Sequence, residues 1–283
     1  MAGNDGTQTS VLQLELIRDQ TPTEQEAKIL DIVNSAMDPA TPETAMEAAR
    51  QLDEICPPLQ DEADVGHYCW NVWSLMIDVA RSPDATSAMR ERLIRIMECL
   101  SQHHRAVLNS GRAATRILWA DLPVLSECLD VYFEDHPKSD QIWINMNAFK
   151  AQCLAAGVVD TYADAMHALS SALEEESDQM ELKVLVACEW IRHASEPLLC
   201  WARNNIGYTD VPEDDELNYV EPGPLYQGPS TMCLRRWGYW QGRFEELAKE
   251  ASGVSEATRE AALEAARTMK KVEASVGNTL GAG

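Results

Sequence analysis

Apolar residues recur along this chain at steps of three and four and nowhere in a sustained alternation, so the pattern predicts helices from end to end. Thr21-Pro22-Thr23-Glu24 offers a cap, a proline at the first helical position and a glutamate three residues after the cap, opening an amphipathic run through Met37. Thr41-Pro42-Glu43 repeats the signal for a second helix to Ile55, stopped by Pro57-Pro58, and the two are expected to form a helical hairpin. From Asp61 to Ala80, Val65, Tyr68, Trp70, Val72, Trp73, Met76 and Val79 cover nearly the whole circumference of a helix, which places it in the middle of the protein. A helix over about 85–102 follows.

His103 to Asp121 fits either helix or loop, with a turn signal at Asn109-Ser110-Gly111. Further helices are expected over Leu122 to Phe133, Ser139 to Ala156 with Gly157 as terminator, and Thr161 to Leu173, the last running into Glu174-Glu175-Glu176. Glu181 to Asn205 is a long apolar helix that Pro197 should kink. Six acids and no bases between Asp210 and Glu221 read as a solvated loop. Pro222, Gly223, Pro224, Gly228 and Pro229 then form a shaped loop, Ser230 caps an aromatic helix, and Ser255 caps an alanine-rich one to about Val276. The fold expected is all-α, an irregular multi-helix bundle of about ten helices with no sheet and no repeat motif. Residues 1–12 read as a disordered tail, 13–276 as a single helical domain and 277–283 as a flexible tail.

Charge narrows the function classes. With 23 basic and 46 acidic residues the net charge is −23, which repels phosphate backbones and anionic lipid heads, so neither nucleic acid nor membrane is an expected partner. No signal peptide is visible at Met1 to Ser10, and the eight cysteines are scattered among apolar neighbours without a C-x-x-C pair. A reduced, cytoplasmic chain is expected.

No G-x-G-x-x-G after a strand, G-K-[ST], G-x-S-x-G or H-E-x-x-H occurs, so no catalytic residue, metal or cofactor is implied. Glu189 and His193 stand one helical turn apart, a spacing found in ligand pairs but more often in surface ion pairs. The consecutive acids Glu213 to Glu216 lack the one-turn spacing of magnesium motifs. Cys233, two residues before Arg235 at a helix start, is the one thiol with a basic neighbour, although a buried inert thiol is the default.

The unusual chemistry lies in Glu221 to Phe244. Trp237, Trp240, Phe244, Leu247 and Ala251 make one helical apolar seam, flanked by the forked or flat donors Arg235, Arg236, Tyr239 and Arg243. Helical aromatic stripes usually exist to be buried, so a packed core is the ordinary reading. The functional one is a helix-lined pocket for a small, partly apolar molecule: Tyr226, Trp237 and Trp240 supply surface, Arg236 and Arg243 orient an anionic group, and Glu189 and His193 complete the ligand-binding set. Redox-independent cyclase or isomerase activity would suit such a pocket, and whether the protein is an enzyme stays open. The alternative is a non-catalytic protein–protein interaction scaffold, for which Trp, Tyr and Arg are equally apt.

Gly223-Pro224-Leu225-Tyr226-x-Gly228 followed by Arg236-Trp237-x-x-Trp240-x-x-Arg243-Phe244, with the upstream Glu189-Trp190-Ile191-Arg192-His193-Ala194, resembles a fungal family defined only as a domain of unknown function. The resemblance is specific over about Val184 to Leu247. It implies a helical cytosolic protein, sometimes encoded near specialised-metabolite genes, and no established activity, cofactor or catalytic residue. Ser230-Thr231 stands where members usually carry a glycine.

Overall fold

The computed structural model describes residues 21–38, 40–58, 62–103, 105–107, 116–134, 139–204, 220–249 and 253–279. Among them are ten helices: α1 (Glu24–Ser35), α2 (Pro42–Glu54), α3 (Glu62–Arg81), α4 (Ser87–Ser101), α5 (Leu125–Glu134), α6 (Asp140–Ala155), α7 (Tyr162–Leu173), α8 (Met180–Asn204), α9 (Leu234–Leu247) and α10 (Glu256–Thr279). The class is all-α, as the periodicity predicts. One departure falls in the segment whose pattern fits helix or loop: three-residue strands β1 (Arg105–Val107) and β2 (Arg116–Leu118) pair antiparallel, with Ala106 opposite Ile117. Three residues are too few for an alternation to show in a sequence, which is why a fold without a sheet was expected. The chain divides into two compact units, Met1–His136 and Pro137–Gly283.

Local chemistry sets most boundaries. Thr41, Thr86 and Ser139 cap α2, α4 and α6 with their hydroxyls, and Ser255 Oγ accepts from Thr258 N at the start of α10. At α1 the cap is Thr23, not Thr21: its hydroxyl accepts from Glu26 N while the Glu26 carboxylate accepts from Thr23 N at 2.8 Å, a reciprocal box that Thr21 and Glu24 do not make. Ser230 does not start α9. Its carbonyl accepts from Val220 N at 2.9 Å and closes the Pro/Gly loop, so the helix begins after Cys233. Nor does Gly277 end α10, which runs on to Thr279. The acidic stretch 205–219, Ala251 and residues 1–20 and 280–283 lie outside the described residues.

In the first unit Leu52, Tyr68, Trp73, Met76 and Trp119 are fully buried among α2, α3 and the strap before α5. The second unit is built on α8, against which α6, α7 and α10 pack. Helix α8 bends at Ala194 (φ −122°, ψ 16°), three residues before Pro197. That proline has no N–H for the His193 carbonyl, and its ring crowds the same carbonyl. Two buried polar pairs stand out in this unit: Trp190 Nε1 donates to Asn147 Oδ1 at 3.0 Å, and the fully buried Lys150 meets Asp164 at 2.8 Å, whereas His193 Nε2 and Arg203 Nη1 are buried without a hydrogen-bond partner. Trp190→Phe strands the Asn147 carbonyl oxygen and should destabilise the second unit by about 1–3 kcal/mol, with Asn147→Leu restoring part of the loss in chemical denaturation of the double variant.

Candidate functional site

Glu174 follows the last residue of α7 and continues the buried stripe Met166–Ser170 at one-turn spacing, so its carboxylate points into the second unit. Five donors meet it there. Arg236 of α9 gives Nε to Oε1 at 2.7 Å and Nη2 to Oε2 at 2.8 Å, a forked pairing that suits a planar guanidinium. Trp240 Nε1 donates to Oε1 at 2.8 Å, Ser170 Oγ to Oε2 at 2.8 Å and the Gly223 amide to Oε2 at 2.9 Å. The rest of Arg236 is spent on the loop: Nη1 donates to the Val220 carbonyl at 3.0 Å and Nη2 to that of Glu221 at 3.3 Å. Its guanidinium also lies over the Tyr226 ring at 5.1 Å and the Trp240 ring at 5.7 Å. Both members of the ion pair are 0% exposed.

The loop is moulded onto the same acid. Leu225 N donates to the Glu174 carbonyl at 2.9 Å, and Tyr226 N closes a turn on the Gly223 carbonyl. A Cβ at Gly223 would sit 2.6 Å from Glu174 Cβ and 2.7 Å from its carbonyl oxygen, so only glycine lets the loop backbone approach this closely. Gly228 leaves room for the Tyr226 hydroxyl, which a Cβ would meet at 2.2 Å. Tyr239 joins the loop to α7 by donating to the carbonyls of Leu225 at 2.9 Å and Leu173 at 3.4 Å, its ring tilted against Tyr226.

Of the residues predicted to bind a ligand, Tyr226, Arg236 and Trp240 therefore converge, but on Glu174. Trp237 is buried and donates to Glu273 of α10 at 2.7 Å. Arg243 is partly exposed, with Nε donating to the Leu173 carbonyl at 3.3 Å and Nη1 paired with Glu246. Glu189 and His193 pair on α8: Nε2 lies 3.2 Å from a Glu189 oxygen without being aimed at it, and Arg192 takes the other oxygen at 3.1 Å. Among the described residues no three His, Cys, Asp or Glu side chains are grouped to hold a metal. Cys233 is buried, its sulfur 3.9 Å from the Tyr226 hydroxyl. Burial would push the Glu174 carboxyl up, but the Arg236 hydrogen bonds and charge, aided by the Gly223 amide and Ser170, outweigh it and hold the group below its ordinary value. The residue that sequence reasoning missed is Glu174, hidden in an acidic triplet. Its one signal was the i, i+4 step from Met166 through Ser170.

The family model described as a protein of unknown function (DUF3632) matches residues 73–244, well over half of the chain. The chain belongs to this family. The matched span ends at Phe244 within α9 and contains Ser170, Glu174, Gly223, Tyr226, Arg236 and Trp240, so the whole Glu174 cluster falls inside the DUF3632 region, while Glu273 falls outside it. Comparison with curated proteins and with solved structures finds no match.

Two outcomes follow from this geometry. Because folding lowers the Glu174 pKa from its ordinary 4.5, the stability it contributes is complete above that value and is lost as pH falls below it; the melting-temperature gap between wild type and Glu174→Gln should stay level well above pH 4.5 and narrow as pH is taken below it. Gly223→Ala should cost about 1–3 kcal/mol in denaturant unfolding, because the neighbour it strikes is backbone. Gly242→Ala, whose Cβ meets nothing within 4 Å, should be neutral or stabilising.

Proposed function

We propose that this DUF3632 protein is a non-catalytic helical interaction module whose partner-contacting surface is the outer side of the Pro/Gly loop and α9. One observation carries the reading: the guanidinium and indole donors that a ligand pocket would use, those of Arg236, Trp237 and Trp240, are committed to Glu174 and Glu273, and what the block turns outward is different. That outer side carries Leu225 and Leu234, 36% and 41% exposed, beside the exposed Arg235, whose Nη2 braces the Gln227 carbonyl at 2.6 Å. Gly238 and Gly242 stand one turn apart with open space above both. A bare helix flank edged by leucine and arginine fits a protein segment bearing apolar side chains and a carboxylate. The internal cluster then serves to hold that surface rigid.

A cytoplasmic setting belongs to the same reading and is supported by eight free cysteines, seven of them buried as small apolar side chains. No described helix is long and apolar enough to cross a membrane. Fungal origin and a role beside specialised metabolism rest on the family resemblance. A small-molecule pocket with cyclase or isomerase chemistry is the competing reading, and it loses one of its two orienting cations once Arg236 is internal.

Gly238→Leu/Gly242→Leu blocks the surface without touching the core. Crosslinking mass spectrometry in cells of the source organism should place a partner on peptides spanning 224–246 of the wild type, and the double variant should lose that crosslink at least about tenfold at unchanged thermal stability. An unchanged partner set, or a metabolite retained by the wild type in native mass spectrometry and lost on Arg243→Ala, would overturn the reading.

A further inference from the structure

The segment between β2 and α5 holds three non-glycine residues in the left-handed region within six positions: Trp119 (φ 74°), Leu122 (φ 42°) and Val124 (φ 59°). A β-branched or bulky residue at positive φ is a genuine outlier, and three such residues together persist only where the surroundings over-determine them. The surroundings here are three anchors on other elements. Trp119 is fully buried, its indole edge-on to Trp73 at 5.8 Å and to Tyr68 at 6.3 Å. Its Nε1 donates to Asp53 Oδ1, near the end of α2, at 2.8 Å. Trp73 of α3 reaches the strap from the other side, its Nε1 donating to the Pro123 carbonyl at 2.7 Å. Tyr68 is itself tied down, its hydroxyl donating to the Leu52 carbonyl at 2.6 Å.

We infer that residues 119–124 are a strained latch, held shut by the Trp119–Asp53 and Trp73–Pro123 hydrogen bonds, that opens as a local unit while the helices around it stay folded. The closed strap carries backbone conformations that the free chain avoids, so opening releases strain and offsets part of what it loses: two indole hydrogen bonds, the strap's own backbone hydrogen bonds and the burial of Trp119 and Leu122. Within the latch, Leu122 N donates to the Trp119 carbonyl and Leu125 N to the Leu122 carbonyl, both at 3.2 Å, so these amides report directly on whether it is closed. Opening uncovers the Tyr68–Trp73–Trp119 rings and breaks the indole bond to Asp53, which gives the first unit a second conformation with a different surface.

Amide-resolved hydrogen exchange on the full chain tests both halves of the inference. Trp73→Phe keeps the ring and removes the bond to Pro123, and it should speed exchange at Leu122 and Leu125 at least tenfold while amides of α4 are unchanged. Val124→Gly and Val124→Ala both lose the isopropyl group; alanine ordinarily gains from its stiffer unfolded chain, and glycine alone tolerates φ 59° without strain. The glycine variant should exchange at least threefold more slowly at Leu125 than the alanine variant and melt higher, the reverse of the usual order. Equal or greater protection in the alanine variant would remove the strain, and an equal acceleration in α4 on Trp73→Phe would make the opening global; either result overturns the latch.

Discussion

Taking a carboxylate and a guanidinium out of water together is favourable only when nearly every lone pair and N–H is satisfied, and the second unit of this protein is arranged to meet that condition at Glu174 and Arg236. The acid receives an indole, a hydroxyl and a backbone amide in addition to the forked arginine. The arginine uses its remaining reach on two loop carbonyls. These partners come from three places in the chain. The pair thereby ties the end of α7, the loop after residue 220 and the start of α9 into one arrangement, and a shift in any of them would strand a buried charge.

That dependence explains details which otherwise look unrelated. Gly223 is needed because its amide must reach the carboxylate while the loop backbone lies against Glu174 itself. Ser170 sits one turn before the acid, where its hydroxyl can donate to the carboxylate and stand 3.4 Å from Arg236 Nη2. Trp237, three residues before Trp240 on the same helix, carries the tie outward to Glu273 and fixes α10. The aromatic and basic richness of the loop–α9 block is thus largely architecture.

Much of this fold was legible in the sequence because helices declare themselves locally. Thr41-Pro42 and Ser139 mark their own starts, Gly157 at φ 68° marks an end, and Pro197 bends α8 as its missing N–H requires. The buried seam Trp237, Trp240, Phe244 and Leu247 also follows from spacing. What stayed hidden is non-local. Glu174 and Arg236 are 62 residues apart, and nothing in an acidic triplet says which glutamate turns inward. The strand pair is too short for a period, the choice of Thr23 over Thr21 turns on whether Glu26 closes the box, and Ser230 lost the cap to a loop closure with Val220. Tyr226, Arg236 and Trp240 gather around an internal carboxylate, an object that spacing along the chain does not reveal.

The most direct measurement is a double-mutant cycle on Glu174→Leu and Arg236→Met, followed by denaturant unfolding. If the pair is the internal tie described, each single variant leaves an uncompensated buried charge and should lose roughly 3–5 kcal/mol, while the double variant loses much less than their sum. Single variants that lose under about 1 kcal/mol and add independently would contradict it, and would return Arg236 to the list of groups available to a ligand.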